Sequence, residues 1–270
     1  MAAPGPNSLD SARTTRLGGQ AGLGVGPRPL AEYFGGVSVR RREGQPVMPR
    51  TKSPPLFRNL AELLENLGGI DPARVCIDPP PGRATKRDLI RTCEATDRLY
   101  ELVQGTLVEK PMGHPESYLA LELGRLLANF VVEHDLGYCT TTDDLVEVLP
   151  GLVRGPDLSF TSWSRQPGRT VSRAPISQVV PDLVVEILSL SNTPREISRK
   201  LAEYFRGGVR MVWVIDPRAF SADVYTSADE KTAIGETGTL DAGEVVPGFQ
   251  LPLAGLFARL EKPKPKKRKT

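Results

Sequence analysis

The chain has 270 residues, of which 39% are hydrophobic and 25% are charged, and its formal net charge is only +3. This composition predicts a soluble globular protein of one large domain with extensions, and the small charge gives no strong field directed at nucleic acid or membrane. No apolar run approaches the roughly 18 residues that a membrane-spanning helix needs. The three cysteines, Cys76, Cys93 and Cys139, form no metal-binding or disulfide pattern, so we expect reduced thiols and a cytoplasmic protein.

The residues before position 97 predict a leader and a small helical extension. Residues 1–55 are rich in glycine, proline and alanine and lack periodic apolar residues, which predicts a disordered leader. Residues 56–96 carry two short helical patterns. The first repeats leucine at helical spacing and stops at Gly68-Gly69, a C-cap signal, and the second begins after Thr85, an N-cap residue.

Residues 97–260 predict an α/β domain with a mixed sheet, and residues 261–270 form a basic tail that we expect to be solvated. The domain's patterns are typical of short strands alternating with two amphipathic helices. In chain order they first predict a hairpin around Gln104-Gly105, a helix that closes at Gly137 and two strands joined by Pro150-Gly151. A strand over PDLVVEILS follows, and then a helix that begins with the capping-box residues Thr193 and Glu196. The last predicted elements are a strand over VRMVWVIDP, a strand over ADVYTS and a closing segment, FQLPLAGLF.

An acidic residue lies inside one of the most apolar stretches. Glu186 interrupts the run LVVEIL, whose length and β-branched residues predict a strand buried on both faces. Because an unpaired buried carboxylate is costly, a cation, a hydrogen-bonding partner or a metal ion must compensate it. A second acid, Asp157, lies in the predicted strand GPDLSF. If the two strands are neighbours, the carboxylates converge and can hold a hard divalent cation.

Lys200 lies on the helix that follows the Glu186 strand. If that helix packs back over its own strand, the ammonium reaches the acids and orients a water or neutralises developing charge. Two acids, a lysine and a divalent cation are the minimal set for phosphodiester hydrolysis, because the cation lowers the pKa of water. Three alternatives stay open: Asp157 as a turn-forming residue, Glu186 paired with an arginine beneath the sheet, and Lys200 on a solvated helix face.

Several stretches, taken in order, resemble the Uma-type family of endonucleases in the PD-(D/E)XK, restriction-endonuclease-like superfamily. The stretches lie within residues 97–260 and are DRLYELVQGTLVEKP, GRLLANFV, RGPDLSF, PDLVVEILSLSNTPREISRKLAEYFRGGVRMVWVIDP and VPGFQLPLAGLF. The resemblance implies a restriction-endonuclease-like mixed central sheet flanked by helices, with acids on two central strands around Mg2+ or Mn2+.

The resemblance also implies roles for individual residues. Asp157 and Glu186 correspond to the metal ligands, Lys200 to the catalytic lysine of the helix, and Glu101 to a further site glutamate. Glu116 lies near the start of the first helix, where a carboxylate can serve as a ligand for metal or water. The superfamily usually has its lysine two residues after the second acid, whereas this chain has Leu188 there, so the helical Lys200 takes that role.

These observations favour a Mg2+- or Mn2+-dependent endonuclease that hydrolyses DNA phosphodiester bonds. The alternative is a DNA- or partner-binding module that keeps the fold without the chemistry, which the near-neutral charge slightly favours. We expect DNA and no membrane as partner, and we leave a homodimer open. Because metal-free carboxylates repel each other, we expect Glu186→Gln to leave stability equal or slightly raised without metal.

Overall fold

The structure is a computed structural model and describes residues 57–260. The predicted leader and basic tail lie outside these described residues. No helix within residues 57–260 is long and apolar enough to cross a membrane. Five α-helices are assigned in this part of the chain: α1 (Leu60–Asn66), α2 (Lys86–Thr96), α3 (His114–Glu133), α4 (Pro194–Gly207) and α5 (Leu253–Phe257).

Twelve strands are assigned in the same part of the chain, and they form three sheets. They are β1 (Tyr100–Val103), β2 (Thr106–Glu109), β3 (Gly137–Thr141), β4 (Val146–Leu149), β5 (Leu152–Arg154), β6 (Leu158–Ser162), β7 (Leu183–Ile187), β8 (Met211–Asp216), β9 (Ser221–Tyr225), β10 (Lys231–Ile234), β11 (Thr239–Asp241) and β12 (Gln250–Pro252).

The central sheet has six strands in the order β10-β9-β8-β7-β6-β3. Strands β7 and β8 run parallel, with α4 as the crossover between them, and the other neighbouring pairs are antiparallel. A second sheet, in the order β2-β1-β5-β4, is antiparallel, and β11 and β12 form a small third sheet. The predicted restriction-endonuclease-like fold, a mixed central sheet flanked by helices, is confirmed.

Strand β7 separates two apolar clusters because successive side chains point to opposite faces. Leu183, Val185 and Ile187 pack with α3 and α5 on one face. Val184 packs with α4 and the four-stranded sheet on the other face. Since Glu186 follows the same alternation as Val184, its carboxylate points toward α4. The fold therefore directs this acid to the helix that carries Lys200.

The predicted N-caps of α2 and α4 are confirmed. Thr85 caps α2 in a reciprocal capping box with Asp88. Thr193 caps α4 by accepting from the Glu196 N–H at 3.0 Å. Glu196 itself does not close the predicted capping box at α4, because its carboxylate pairs with Arg74 instead.

The predicted strands and the end of α3 need correction. Helix α3 ends at Glu133, before the predicted stop at Gly137, and Gly137 begins β3, where a Cβ would lie 2.1 Å from the Thr161 carbonyl oxygen of β6. The two strands predicted around Pro150-Gly151 are four, β3 to β6, because the turn before Leu145 and the Gly155-Pro156 pair interrupt the pattern. Strands β10 and β11 were not predicted, since their mostly exposed residues carry little apolar alternation.

Candidate active site

Asp157 and Glu186 meet because β6 and β7 are neighbouring antiparallel strands. Leu158 pairs with Val185, so the ladder places Asp157 opposite Glu186 one residue further on. The Asp157 N–H donates to the Val185 carbonyl at 3.1 Å. One of its carboxylate oxygens, Oδ2, accepts from the Ile187 N–H at 2.6 Å, which fixes the side chain against β7. Both acids are buried.

Two donors from α4 hold the Glu186 carboxylate. Lys200 Nζ lies 3.1 and 2.9 Å from its two oxygens, and the Tyr204 hydroxyl donates to Oε1 at 2.5 Å. Positions 200 and 204 are one helical turn apart and share a face, so both side chains reach the strand that precedes the helix. The structure therefore brings together Asp157, Glu186 and Lys200, and it replaces the alternative of an exposed lysine with a fully buried ion pair.

Lys110 is a site residue that sequence reasoning missed. It follows β2 directly, and its Nζ lies between the two acids, 2.8 Å from Asp157 Oδ1 and 3.7 Å from Glu186 Oε2. It also donates to the Gly155 carbonyl, and its side chain is only 8% exposed. The sequence shows an ordinary lysine before a proline there. The predicted hairpin is the signal that could have indicated Lys110, because it brings the end of β2 back toward the central sheet.

Glu101 lies deeper than the acid pair. Its carboxylate is fully buried, 3.3 Å from Lys200 and 2.6 Å from Arg154, and it accepts from the Gly155 N–H at 3.2 Å. Arg154 in turn pairs with Glu203. The ion pairs join into an alternating line of four acids and four bases, which we call the charge row: Asp157, Lys110, Glu186, Lys200, Glu101, Arg154, Glu203 and Arg199.

The charge row favours the ionised forms of Lys200 and Glu101 despite their burial. Burial lowers the pKa of Lys200, but Glu101 and Glu186 outweigh it and raise that pKa above its usual value. Burial raises the pKa of Glu101, but Lys200 and Arg154 outweigh it and hold that pKa well below its usual value. Burial and the Glu186 charge raise the pKa of Tyr204, so its hydroxyl stays a donor. Among the described residues, no buried side-chain nitrogen or oxygen lacks a hydrogen-bond partner.

A small, partly open cleft borders the acid pair. Glu116, predicted as a ligand for metal or water, lies in the first turn of α3 and also faces this cleft. Lys200 and Glu101 lie outside the lining, behind Glu186. The polar side chains that line the cleft are Arg74, Lys110, Glu116, Asp157, Glu186 and Asn192, together with Ser189.

Arg74 reaches the cleft from the helical extension. Its guanidinium forms a bidentate salt bridge with the Glu196 carboxylate, with N···O distances of 3.0 and 2.7 Å, and its Nε donates to the Glu109 carbonyl at 2.9 Å. The extension thereby ties the start of α4 to the strand end that carries Lys110. No sequence pattern indicated this arginine, because its partner lies 122 residues away.

The donor set at the acid pair suits a hard cation. Asp157 Oδ1, Glu186 Oε2 and the Gly155 carbonyl all face the Lys110 ammonium. Carboxylate and carbonyl oxygens are the ligands that Mg2+ prefers, with water completing its coordination. Within residues 57–260 no group of three His, Cys, Asp or Glu side chains is arranged to hold a metal ion. A metal ion could therefore bind here only through the two carboxylates, and only if the Lys110 ammonium moves out of the position between them.

The three cysteines are free thiols, as the sequence predicted. They lie on separate elements and are partly buried. Burial raises the pKa of the Cys139 thiol to about 12. Such a thiol is almost entirely protonated at neutral pH, which makes it a poor ligand and nucleophile. The cysteines take no part in the site.

The fold and the acid pair define a protein of the restriction-endonuclease-like class. The chain matches the Uma2 family, described as "Putative restriction endonuclease", over residues 87–254, and it belongs to that family. A search of curated proteins gives no significant match. The chain is also similar to a crystal structure of a putative nuclease belonging to DUF820 from Anabaena variabilis. That similarity has a TM-score of 0.54 at 21% identity and covers 60% of this chain and 92% of that one.

Proposed function

We propose that this protein is a metal-dependent endonuclease that hydrolyses DNA phosphodiester bonds with Mg2+ or Mn2+. One observation carries the proposal: Asp157 and Glu186, from adjacent strands, converge with the Gly155 carbonyl on a single cation position beside an open cleft. Membership of a family described as restriction endonucleases supports the same reaction.

We assign each residue a role from its position relative to the cleft. Asp157 and Glu186 would hold the metal ion, which, when bound, acts as a Lewis acid and lowers the pKa of water. Lys200 and Tyr204 keep the Glu186 carboxylate oriented from behind. Because Lys200 lies outside the cleft lining, we assign it as a positioning residue rather than one that touches the phosphate.

Glu101 and Glu116 have different roles in this proposal. Glu101 anchors Lys200 from the four-stranded sheet and does not face the cleft. Glu116 faces the cleft from α3, where its carboxylate can orient the attacking water. In the reaction, the attacking water gives one proton to solvent as its oxygen bonds to phosphorus, the bond to the leaving ester oxygen breaks, and that oxygen takes a proton from solvent.

Cleavage of supercoiled plasmid and of single-stranded DNA tests the proposal. Wild type should cleave with Mg2+ or Mn2+ and stop when EDTA is added. Asp157→Asn and Glu186→Gln should each lower the rate at least about 100-fold, the size typical of losing one charge-stabilising group. Asp223→Asn, which breaks an exposed ion pair with Lys231, is the matched carboxylate-to-amide control and should cleave normally. Equal rates in all four proteins would refute the site.

A second function, a DNA-binding module without chemistry, has one observation in its favour. The Lys110 ammonium already occupies the position between the two acids. Fluorescence anisotropy with a labelled duplex in EDTA separates the two proposals. Binding with no cleavage in any metal would support the module, and metal-dependent cleavage would exclude it.

A further inference from the structure

Lys110 is held at the acid pair by backbone as well as by charge. Its N–H donates to the Leu99 carbonyl at 2.9 Å, and Pro111 follows it. Arg74 binds the carbonyl of the preceding residue, Glu109. The main chain at this point is therefore fixed, and only the flexible side chain can move its ammonium.

We propose that Lys110 is a resident cation that competes with divalent metal for Asp157 and Glu186. This inference rests on the proposed metal-dependent function and adds a residue that opposes metal binding in the free protein. The ammonium faces the same three oxygens that would ligate the metal, and it lies 2.8 Å from Asp157 Oδ1. A divalent ion and an ammonium cannot share that space, because like charges at contact distance repel strongly.

Because the cleft is partly open to solvent, the displaced side chain can turn outward along it. Lys110 lies in the cleft lining, and its unbranched stem has many rotamers. Lys200 differs, because it is 2% exposed, lies behind Glu186 and also pairs with Glu101. Metal should therefore release Lys110 and leave Lys200 in place.

Competition raises the apparent dissociation constant for metal, which equals the intrinsic constant divided by the fraction of molecules in which Lys110 has left the acid pair. Removing the ammonium while keeping the stem should reverse this. We expect Lys110→Met to bind Mn2+ at least about tenfold more tightly than wild type, which corresponds to about 1.4 kcal/mol. Lys110→Arg keeps the cation and should bind Mn2+ no more tightly than wild type.

Isothermal titration with Mn2+ alone measures these affinities in the full chain. Lys86→Met is the matched control, since Lys86 forms a half-exposed pair with Glu147 and should not change Mn2+ affinity. Equal Mn2+ affinity in wild type and Lys110→Met would overturn the competition while leaving the metal site intact. Absence of Mn2+ binding in both would overturn it too, and the plasmid assay then judges the nuclease proposal separately.

A second measurement uses the wild-type protein and does not depend on any variant folding. Reductive methylation followed by mass spectrometry reports how accessible each lysine is. Mg2+ should increase the labelling of Lys110 severalfold, while Lys200 stays protected and Lys86 stays labelled throughout. Unchanged labelling of Lys110 at Mg2+ concentrations that raise the melting temperature would contradict displacement.

Discussion

Helix α4 supplies both a cation and a hydroxyl to the buried carboxylate of Glu186. Lys200 contacts both carboxylate oxygens and the Tyr204 hydroxyl contacts one. The sequence left three kinds of compensation open, and the structure supplies two of them from one helix. The partner is a lysine on α4 rather than an arginine beneath the sheet.

Glu186→Gln should destabilise the protein by about 3 kcal/mol in metal-free buffer, because it leaves buried Lys200 with Glu101 as its remaining acid partner. Urea unfolding at pH 7 measures this, with Asp223→Asn as an exposed control that should change stability little. A variant as stable as wild type would show that the pair contributes nothing.

That prediction reverses the one made from the sequence. The sequence suggested repulsion between two bare carboxylates, and hence equal or higher stability for Glu186→Gln. The structure corrects this, because Lys110 lies between the acids and Lys200 lies behind Glu186. The sequence-based prediction did not include Lys110, because this lysine is far from both acids in the sequence.

Helix α4 joins the central sheet, the four-stranded sheet and the helical extension through one polar face. Lys200 and Tyr204 bind Glu186, Glu203 binds Arg154, and Glu196 binds Arg74. The sequence predicted the helix and its Thr193 cap because those signals are local. It also predicted that Lys200 reaches the acids, but it missed the pairs of Glu203 with Arg154 and of Glu196 with Arg74, since those partners are distant in sequence.

Arg74→Met should destabilise the fold by about 3 kcal/mol at pH 7, because buried Glu196 loses its main cation. Burial raises the pKa of Glu196, but the Arg74 hydrogen bonds outweigh it and lower that pKa below 4.5. A carboxylate with a lowered folded pKa stabilises the fold above its unfolded pKa and loses that contribution as pH falls through the folded value.

The stability gap between wild type and Arg74→Met should therefore be widest at neutral pH and narrow as the pH falls below about 4.5. Urea unfolding at several pH values between 7 and 3 follows the gap, with Lys86→Met as the control for losing a less buried cation. A gap that stays constant with pH would mean that packing of the arginine stem, rather than its charge, holds the extension.

Gly207 lies against Val148 of β4, in the four-stranded sheet. A Cβ there would lie 2.5 Å from Val148 Cγ1 and 2.6 Å from the Val148 carbonyl oxygen. Helix propensity favours alanine over glycine, but the overlap with β4 should win, so Gly207→Ala should cost about 1–3 kcal/mol. Gly255→Ala in α5 has nothing within 4 Å and should be neutral or stabilising. Thermal melts compare the two, and similar melting temperatures would argue against the close contact.

At the scale of the whole molecule, the helical extension is built into the core. Leu63, Leu67 and Ile70 pack in one apolar cluster and Leu89 in another. At about 1.5–3 kcal/mol each, four such side chains contribute about 6–12 kcal/mol, which is comparable with the whole stability of a typical domain. The extension also supplies Arg74 to the cleft.

A fragment of residues 97–260 should therefore fail to fold stably, while a fragment of residues 56–260 should fold. Near-UV circular dichroism and a cooperative melt distinguish the two outcomes. Division of the chain into an extension, residues 56–96, and a domain, residues 97–260, is a prediction from the sequence, and a stable shorter fragment would support it. The family match begins at residue 87, inside the extension.

The overall architecture was predictable because the periodic spacing of apolar residues and the family resemblance both extend over most of residues 97–260. The mixed sheet, the hairpin and the helix starts follow from local signals. The second sheet was not predicted, because β4 and β5 look like continuations of β3 and β6 until the turns at Leu145 and Gly155 separate them.

The charge row also limits how this sequence can change over generations. Its acids and bases alternate, so the eight charges sum to zero inside the protein. A single replacement that removes one charge leaves the row with an unbalanced charge, whereas a paired replacement such as Glu101→Gln with Arg154→Met keeps the sum at zero. Changes at these eight positions should therefore occur as compensated pairs of one acid and one base.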